Sequence, residues 1–223
     1  MSAVRKRKSE PRPYHHGDLR AALLDAAARW LDEQGAATLT LRELARAAGV
    51  SHAAPYHHFA SLDELLAGVA ERAFERLADA MSAASADAAT PLDALLDIGE
   101  AYVRVALAHP AQFRLMFGPL LARKAEFPAL AQEAERAFRV LFEAAAAHAP
   151  ERALELALTG WSLSHGAANL AIDGALDGLP IPRAQAGALR KLDPAQLVRR
   201  MAAGLLGPEA PAPLRRPARK PAR

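Results

Sequence analysis

Of the eight histidines in this 223-residue chain, three cluster at His52, His57 and His58, and a fourth, His165, lies four residues after Trp161. Imidazole at such positions can ligate a metal, move a proton or bond the edge of a base. Adjacent histidines on a helix diverge by ~100°, so His57 and His58 do not share one ion comfortably. The chain has no Cys, which excludes a disulfide framework, a zinc finger and a thiol nucleophile. It also carries no nucleophile elbow, P-loop, dinucleotide fingerprint or metal-helix motif. No catalytic residue, metal or cofactor is therefore expected, and an all-α enzyme using His165 is the weakest of the competing readings.

The three clustered histidines sit in residues 41–60, LRELARAAGVSHAAPYHHFA, which have the spacing of a helix-turn-helix. Ala45 is small where two helices must cross, Gly49 follows four positions later in the turn, and Leu44, Ala48 and Val50 supply apolar contacts. Such a unit holds its second helix, here about 52–58, against the major groove of DNA. The spacing alone equally describes an αα-corner inside a helical protein.

The elements that must position this segment read as helices throughout. Fifty-six residues are Ala, the best helix former, and only 12 are Phe, Trp or Tyr. Leu19, Leu23, Ala26, Ala27, Trp30 and Leu31 make one stripe of a first helix ending near Gly35. Thr40 can cap a helix over 41–48, Ser51 one running to about Phe59, and Ser61 a longer one with Leu62, Leu65, Leu66, Val69, Ala73 and Leu77 in register. Pro91 opens a further helix that His109-Pro110 ends. A short helix and a long one follow, punctuated by Gly118-Pro119 and Phe127-Pro128. Residues 150–177 are apolar on nearly every side, which predicts a helix buried all round. A mobile loop is expected at 178–192, and a last helix from Asp193-Pro194 through Leu197, Val198, Met201 and Leu205. The fold class is all-α.

Charge is distributed unevenly. Residues 1–20 and 208–223 each carry a net +4, which leaves the body between them at −5. The ends are expected to be a disordered basic arm over 1–14 and a disordered Pro-rich tail over 208–223. Arg5-Lys6-Arg7-Lys8 can track a minor groove, raise nonspecific affinity or simply remain solvated. No apolar run approaches the ~20 residues of a membrane span, and no apolar stretch follows the charged N-terminus, so a cytoplasmic chain is expected.

The segment from HHGDLRAALLDAAARW through LRELARAAGVS and PYHHFASLDELLAGV, about 55 residues, resembles the DNA-binding domain of the TetR/AcrR transcriptional regulators. HPAQFRLMFG and WSLSHGAANLAIDG resemble the C-terminal domain of one subgroup, named for a Trp-His-Gly signature that here is Trp161, His165 and Gly166. The resemblance implies a helix-turn-helix domain at 15–60 and a regulatory and dimerisation bundle at 61–207. It implies a repressor that binds a near-palindromic double-stranded DNA operator as a homodimer and is released by a small-molecule effector. A DNA-architectural protein without effector is the alternative.

Tyr56 and His58 match the family's phosphate-contacting positions, while His52, Ala53, Ala54 and His57 fall on the recognition helix. Thr40 and Ser51 mark helix ends that can face phosphate, and Arg42 is the expected guanine reader or phosphate clamp. Leu62 replaces a frequent Lys, Ala53 a frequent Gly, and Pro55 enters the first turn of the recognition helix. For the effector, the candidate residues are Tyr102, Phe113, Met116, Phe117, Phe138, Phe142, Trp161, His165 and Asn169. Aromatic residues at helical spacing are equally a plain core. Gly166, Leu170, Gly174, Leu197, Val198, Met201 and Leu205 are the expected dimer contacts, with hinge flexibility as the other reason for the glycines.

Overall fold

A computed structural model describes residues 16–36, 38–176 and 193–206, and all regular structure among them is helical. The arm at 1–14, the loop at 178–192 and the tail at 208–223 lie outside the described residues. The chain divides into two compact units, residues 1–69 and 70–223.

The first unit holds α1 (His16–Gln34), α2 (Leu41–Ala47) and the opening turns of α3 (Leu62–Ser85). Thr40 caps α2 as its sequence suggests: its backbone is extended, and its hydroxyl accepts from the Glu43 amide at 3.1 Å. Gly49 ends α2 at φ +68, and the amides of Gly49 and Val50 turn back to the carbonyls of Arg46 and Ala45 at 3.2 and 3.0 Å. That is a Schellman termination, which needs a residue free of Cβ strain. Leu23, Leu24, Leu31, Leu44, Ala45, Phe59 and Leu65 close the core around it.

The second helix of the pair differs from expectation. Instead of a helix over 52–58 capped by Ser51, the chain makes a four-residue 3-10 helix, Ala54–His57, whose N-cap is Ala53 with no side-chain hydrogen bond. Pro55 is the cause. It is buried and donates no amide, so the turn tightens, with Ala54 donating to the Ser51 carbonyl at 3.0 Å and Tyr56 to Ala53 at 3.2 Å. Ser51 contributes its carbonyl rather than its hydroxyl. Ser61 does cap α3: its hydroxyl accepts from the Glu64 amide at 3.1 Å while Glu64 accepts from Ala60 at 2.6 Å.

The second unit contains the rest of α3, then α4 (Pro91–Ala108), α5 (Pro110–Met116), α6 (Pro119–Ala122), α7 (Pro128–His148), α8 (Ala153–Ile172) and α9 (Pro194–Leu206). Short 3-10 turns at Lys124–Glu126 and Pro150–Arg152 lead into α7 and α8. α4 lies at the centre, packed on α7, α8 and α9, with Leu95, Leu96, Ile98, Gly99, Tyr102, Val103 and Ala106 buried. At Gly99 an added Cβ would stand 3.1 Å from Ser164 Oγ and 3.4 Å from Val198 Cγ1, so a larger residue would have to push α8 or α9 side chains aside by a few tenths of an ångström. Arg199 ties α9 to α4 through Asp97 and, at 3.6 Å, Asp93.

α8 is shorter and less enclosed than the sequence predicts. It ends at Ile172 in a second Schellman turn, with Gly174 at φ +67 and the Ala175 amide on the Leu170 carbonyl at 2.9 Å, so Gly174 is a helix stop rather than an interior residue. Leu154, Leu158 and Leu170 are exposed, at 58%, 42% and 47%. Within one chain, α8 therefore has an open apolar face. No helix among the described residues is long and apolar enough to cross a membrane.

Candidate functional site

Two sites emerge, one in each unit. In the first, the nine expected DNA contacts run from Thr40, the N-cap of α2, through the turn and the 3-10 helix to His58, its C-cap. Arg42, Ser51, His52, Ala53, Tyr56 and His57 are exposed, as is Thr40, while Ala54 and His58 are half-buried. Tyr56 stands out at 58% exposure, beside the buried Pro55 and Phe59 that anchor its backbone. The two arginines of α2 differ in availability. Arg46 is held by Glu43 through bonds of 3.0 and 2.5 Å, whereas Arg42 makes no ion pair among the described residues. The Arg42 charge is therefore left uncompensated among the described residues. Behind this surface, the Arg20 guanidinium sits over the Phe59 ring at 5.3 Å and fastens α1 to the end of the 3-10 helix.

In the second unit a cavity of about 510 Å³ opens between α3, α4, α7, α8 and the α6 region. Tyr102, Phe117, Phe138 and Trp161 line it as expected. Phe74 meets Phe117 edge-on at 5.5 Å, and Phe138 meets Trp161 edge-on at 6.0 Å. Five of the expected ligand residues do not line it. Phe113 and Met116 are buried in the core, and Phe142 is exposed and stacks on Phe138 from outside. Asn169 spends its amide on the His165 carbonyl of its own helix at 3.0 Å. His165 packs against the Phe117 ring at 4.6 Å and is bonded through Nδ1 to the Tyr102 hydroxyl at 2.8 Å.

That pair has defined electrostatics. Burial pushes the Tyr102 hydroxyl far above the usual tyrosine range, against a smaller opposing effect of its hydrogen bond with Trp161. Burial also holds His165 below its ordinary 6.5, so the imidazole is neutral near pH 7. Residues that sequence reasoning missed are Phe74, Leu77 and Met81 on α3, Leu121 on α6 and Lys124 just after it, Ala131, Ala134, Glu135, Ala137 and Leu141 on α7, and Leu158 on α8. The α3 stripe carried a signal, because Leu77 and Met81 continue the i+4 register of Val69 and Ala73. Lys124 had none.

The expected dimer contacts separate into two groups. Leu170, Met201 and Leu205 are exposed at 47%, 44% and 50%, Gly166 and Gly174 are exposed, and Leu197 is half-buried. Val198 is fully buried against α4 and belongs to the core of its own chain. Among the described residues no cluster of three or more His, Cys, Asp or Glu is arranged to hold a metal ion.

A helix-turn-helix unit joined by one long helix to an all-helical bundle with an internal apolar cavity is the architecture of a one-component transcriptional regulator. The family model described as bacterial regulatory proteins of the tetR family matches residues 23–69, and that described as the tetracyclin repressor-like C-terminal domain matches residues 95–205. The chain belongs to the TetR family of transcriptional regulators and is not an enzyme. It is 43% identical over 72 residues to the HTH-type transcriptional regulator BetI of Rhizobium meliloti, covering 32% of this chain and 36% of that protein. The chain spans between about a third and just over half the length of the curated relatives it matches. A Rhodococcus sp. RHA1 protein of unknown function has a similar structure, with a TM-score of 0.65, 34% identity, and 86% of this chain and 98% of that one covered. The transcriptional regulator SCO7222 of Streptomyces coelicolor shares the fold, with a TM-score of 0.62 at 22% identity over 84% of this chain and 95% of that one.

Proposed function

We propose that the protein is a ligand-responsive repressor that binds a near-palindromic DNA operator as a homodimer and leaves it when a small, largely apolar effector enters the second unit. The observation that carries this reading is the cavity of about 510 Å³, which falls within the ~300 to 1,000 Å³ of small-molecule sites. Arg42, Tyr56, His52 and His57 are the operator contacts, with Thr40, Ser51, Ala53, Ala54 and His58 framing them. The exposed apolar face of α8 and α9 supports the dimer, and two helix-turn-helix units related by a two-fold axis call for two half-sites. The cytoplasm, where the DNA is, is the place of action.

α3 supplies the mechanism. Leu65 and Val69 belong to the core of the first unit, while Phe74, Leu77 and Met81 of the same helix line the cavity. An effector acts only if it binds the released form more tightly than the DNA-bound one, since equal affinity shifts nothing. The test is a band shift on promoter DNA of the protein's own and adjacent genes, titrated with fractionated cell extract. Release by an extract component is expected for the unmodified protein and its loss for Ala134→Phe, which fills the cavity from its half-buried wall. Release that persists undiminished in Ala134→Phe overturns the assignment of this cavity to the effector.

A further inference from the structure

The chemistry of the cavity lining narrows what it accepts. Fifteen residues form the wall, and only Tyr102, Trp161, Lys124 and Glu135 carry side-chain N or O atoms. The Tyr102 hydroxyl is engaged with His165 Nδ1 at 2.8 Å. Neither Tyr102 nor Trp161 carries a charge, so the interior offers an anion no cation.

The two remaining polar residues differ in charge balance. Glu135 is matched by Arg139 at 3.6 Å, and Arg123, next to Lys124, is held by Glu126 at 2.7 and 2.9 Å. The Lys124 side chain is exposed and has no ion pair or hydrogen bond among the described residues. The cavity therefore combines an apolar interior with one cation on its lining that is unpaired among the described residues. The interior is also strongly aromatic: Phe117 and Trp161 lie 6.3 Å apart at 42°, Phe138 meets Trp161 at 65°, and Phe74 meets Phe117 at 71°. Five of the fifteen lining side chains are aromatic, Phe74, Tyr102, Phe117, Phe138 and Trp161, and aromatic pairs gain stacking or edge-to-face attraction that an alkyl chain does not, which favours a flat ring system over a flexible chain.

We infer that the ligand is an amphipathic monoanion, a carboxylate on a flat aromatic body, with its rings among Phe117, Phe138 and Trp161 and its carboxylate on Lys124. This assignment rests on the effector reading of the same cavity. A charge-assisted bond from one ammonium at a partly wet mouth supplies head-group preference, while the buried rings supply most of the affinity.

The experiment uses the full chain with two fluorescent probes that differ only in the head, pyrene-1-butyrate and the neutral pyrene-1-butanol, titrated at pH 7 and low ionic strength. Unmodified protein is expected to prefer the butyrate at least tenfold. Lys124→Gln, at an exposed position that leaves the helical circular-dichroism signal unchanged, should bring the ratio close to one without altering butanol binding. Equal affinity for the two probes in the unmodified protein, or a preference that survives in Lys124→Gln, overturns the head-group assignment. If both probes nonetheless bind and Ala134→Phe excludes them, the cavity itself still stands. Dodecanoate displacing pyrene-1-butyrate as effectively as 2-naphthoate does overturns the aromatic assignment. Failure of both probes to bind overturns this inference and the effector reading together. Head-dependent binding that leaves the operator complex intact supports the ligand class and removes its regulatory role.

Discussion

Two side chains from two helices, Tyr102 and His165, are joined by a hydrogen bond of 2.8 Å. Its cost appears on acidification. His165 binds a proton less readily folded than unfolded because burial disfavours the cation, so the unfolded chain takes up more protons as pH falls. Stability from this site is complete above the ordinary histidine value of 6.5, is lost as pH falls below it, and levels off under the lowered folded value. Urea unfolding at pH 7.5 and 5.5 should show that decline. His165→Gln, whose side-chain oxygen can still accept the Tyr102 proton, should flatten it. A pH dependence identical in the two proteins would place the titrating group elsewhere. Tyr102→Phe is harsher, since it strands the imidazole nitrogen, and leaving a buried polar group unpaired costs about 1–3 kcal/mol.

Among the elements, the helix-turn-helix was the most legible part of the chain and its second half the least. Thr40 and Gly49 announce their roles because each acts locally, one through a hydroxyl within reach of Glu43 and the other through a φ that side chains avoid. Pro55 is equally visible, but its effect depends on which carbonyls the remaining amides reach, and that is decided by the buried packing of Pro55 and Phe59. The 3-10 turn that results is short, so the operator contact proposed above draws on side chains beyond its ends as well as within it. Arg42→Glu combined with Tyr56→Phe is expected to weaken operator binding at least tenfold and to lower its salt dependence, with helicity unchanged. Undiminished binding by the double variant would assign the DNA contact to another surface. The cavity was half legible for a related reason. Aromatic residues on α4, α7 and α8 stand out in an Ala-rich chain, but whether a ring faces a void or a neighbour depends on partners distant in sequence, which is why Phe113 and Phe142 were misplaced while Phe74 was overlooked.

For the molecule as a whole, the exposed Leu154, Leu158, Leu170, Met201 and Leu205 make an apolar surface that an isolated small protein rarely leaves in water. Light scattering is expected to give twice the 23.7 kDa of one chain, and Met201→Arg to return the value to a single chain. A monomeric unmodified protein would remove α8 and α9 as the interface. The sequence predicted enclosure of α8 on every side, and the mismatch is informative: a single chain hides only part of so apolar a helix, and the remainder is the face that the proposed dimer would cover. α3 has a different consequence. A helix is nucleated once and then extends a residue at a time, so the 24 residues from Leu62 to Ser85 form or melt largely as one piece even though they serve two cores. Neither unit can then lose its share of that helix without weakening the other. Thermal damage begun in the sensor would reach the DNA-binding residues through cooperative unfolding, and ligand occupancy would protect them by the same route.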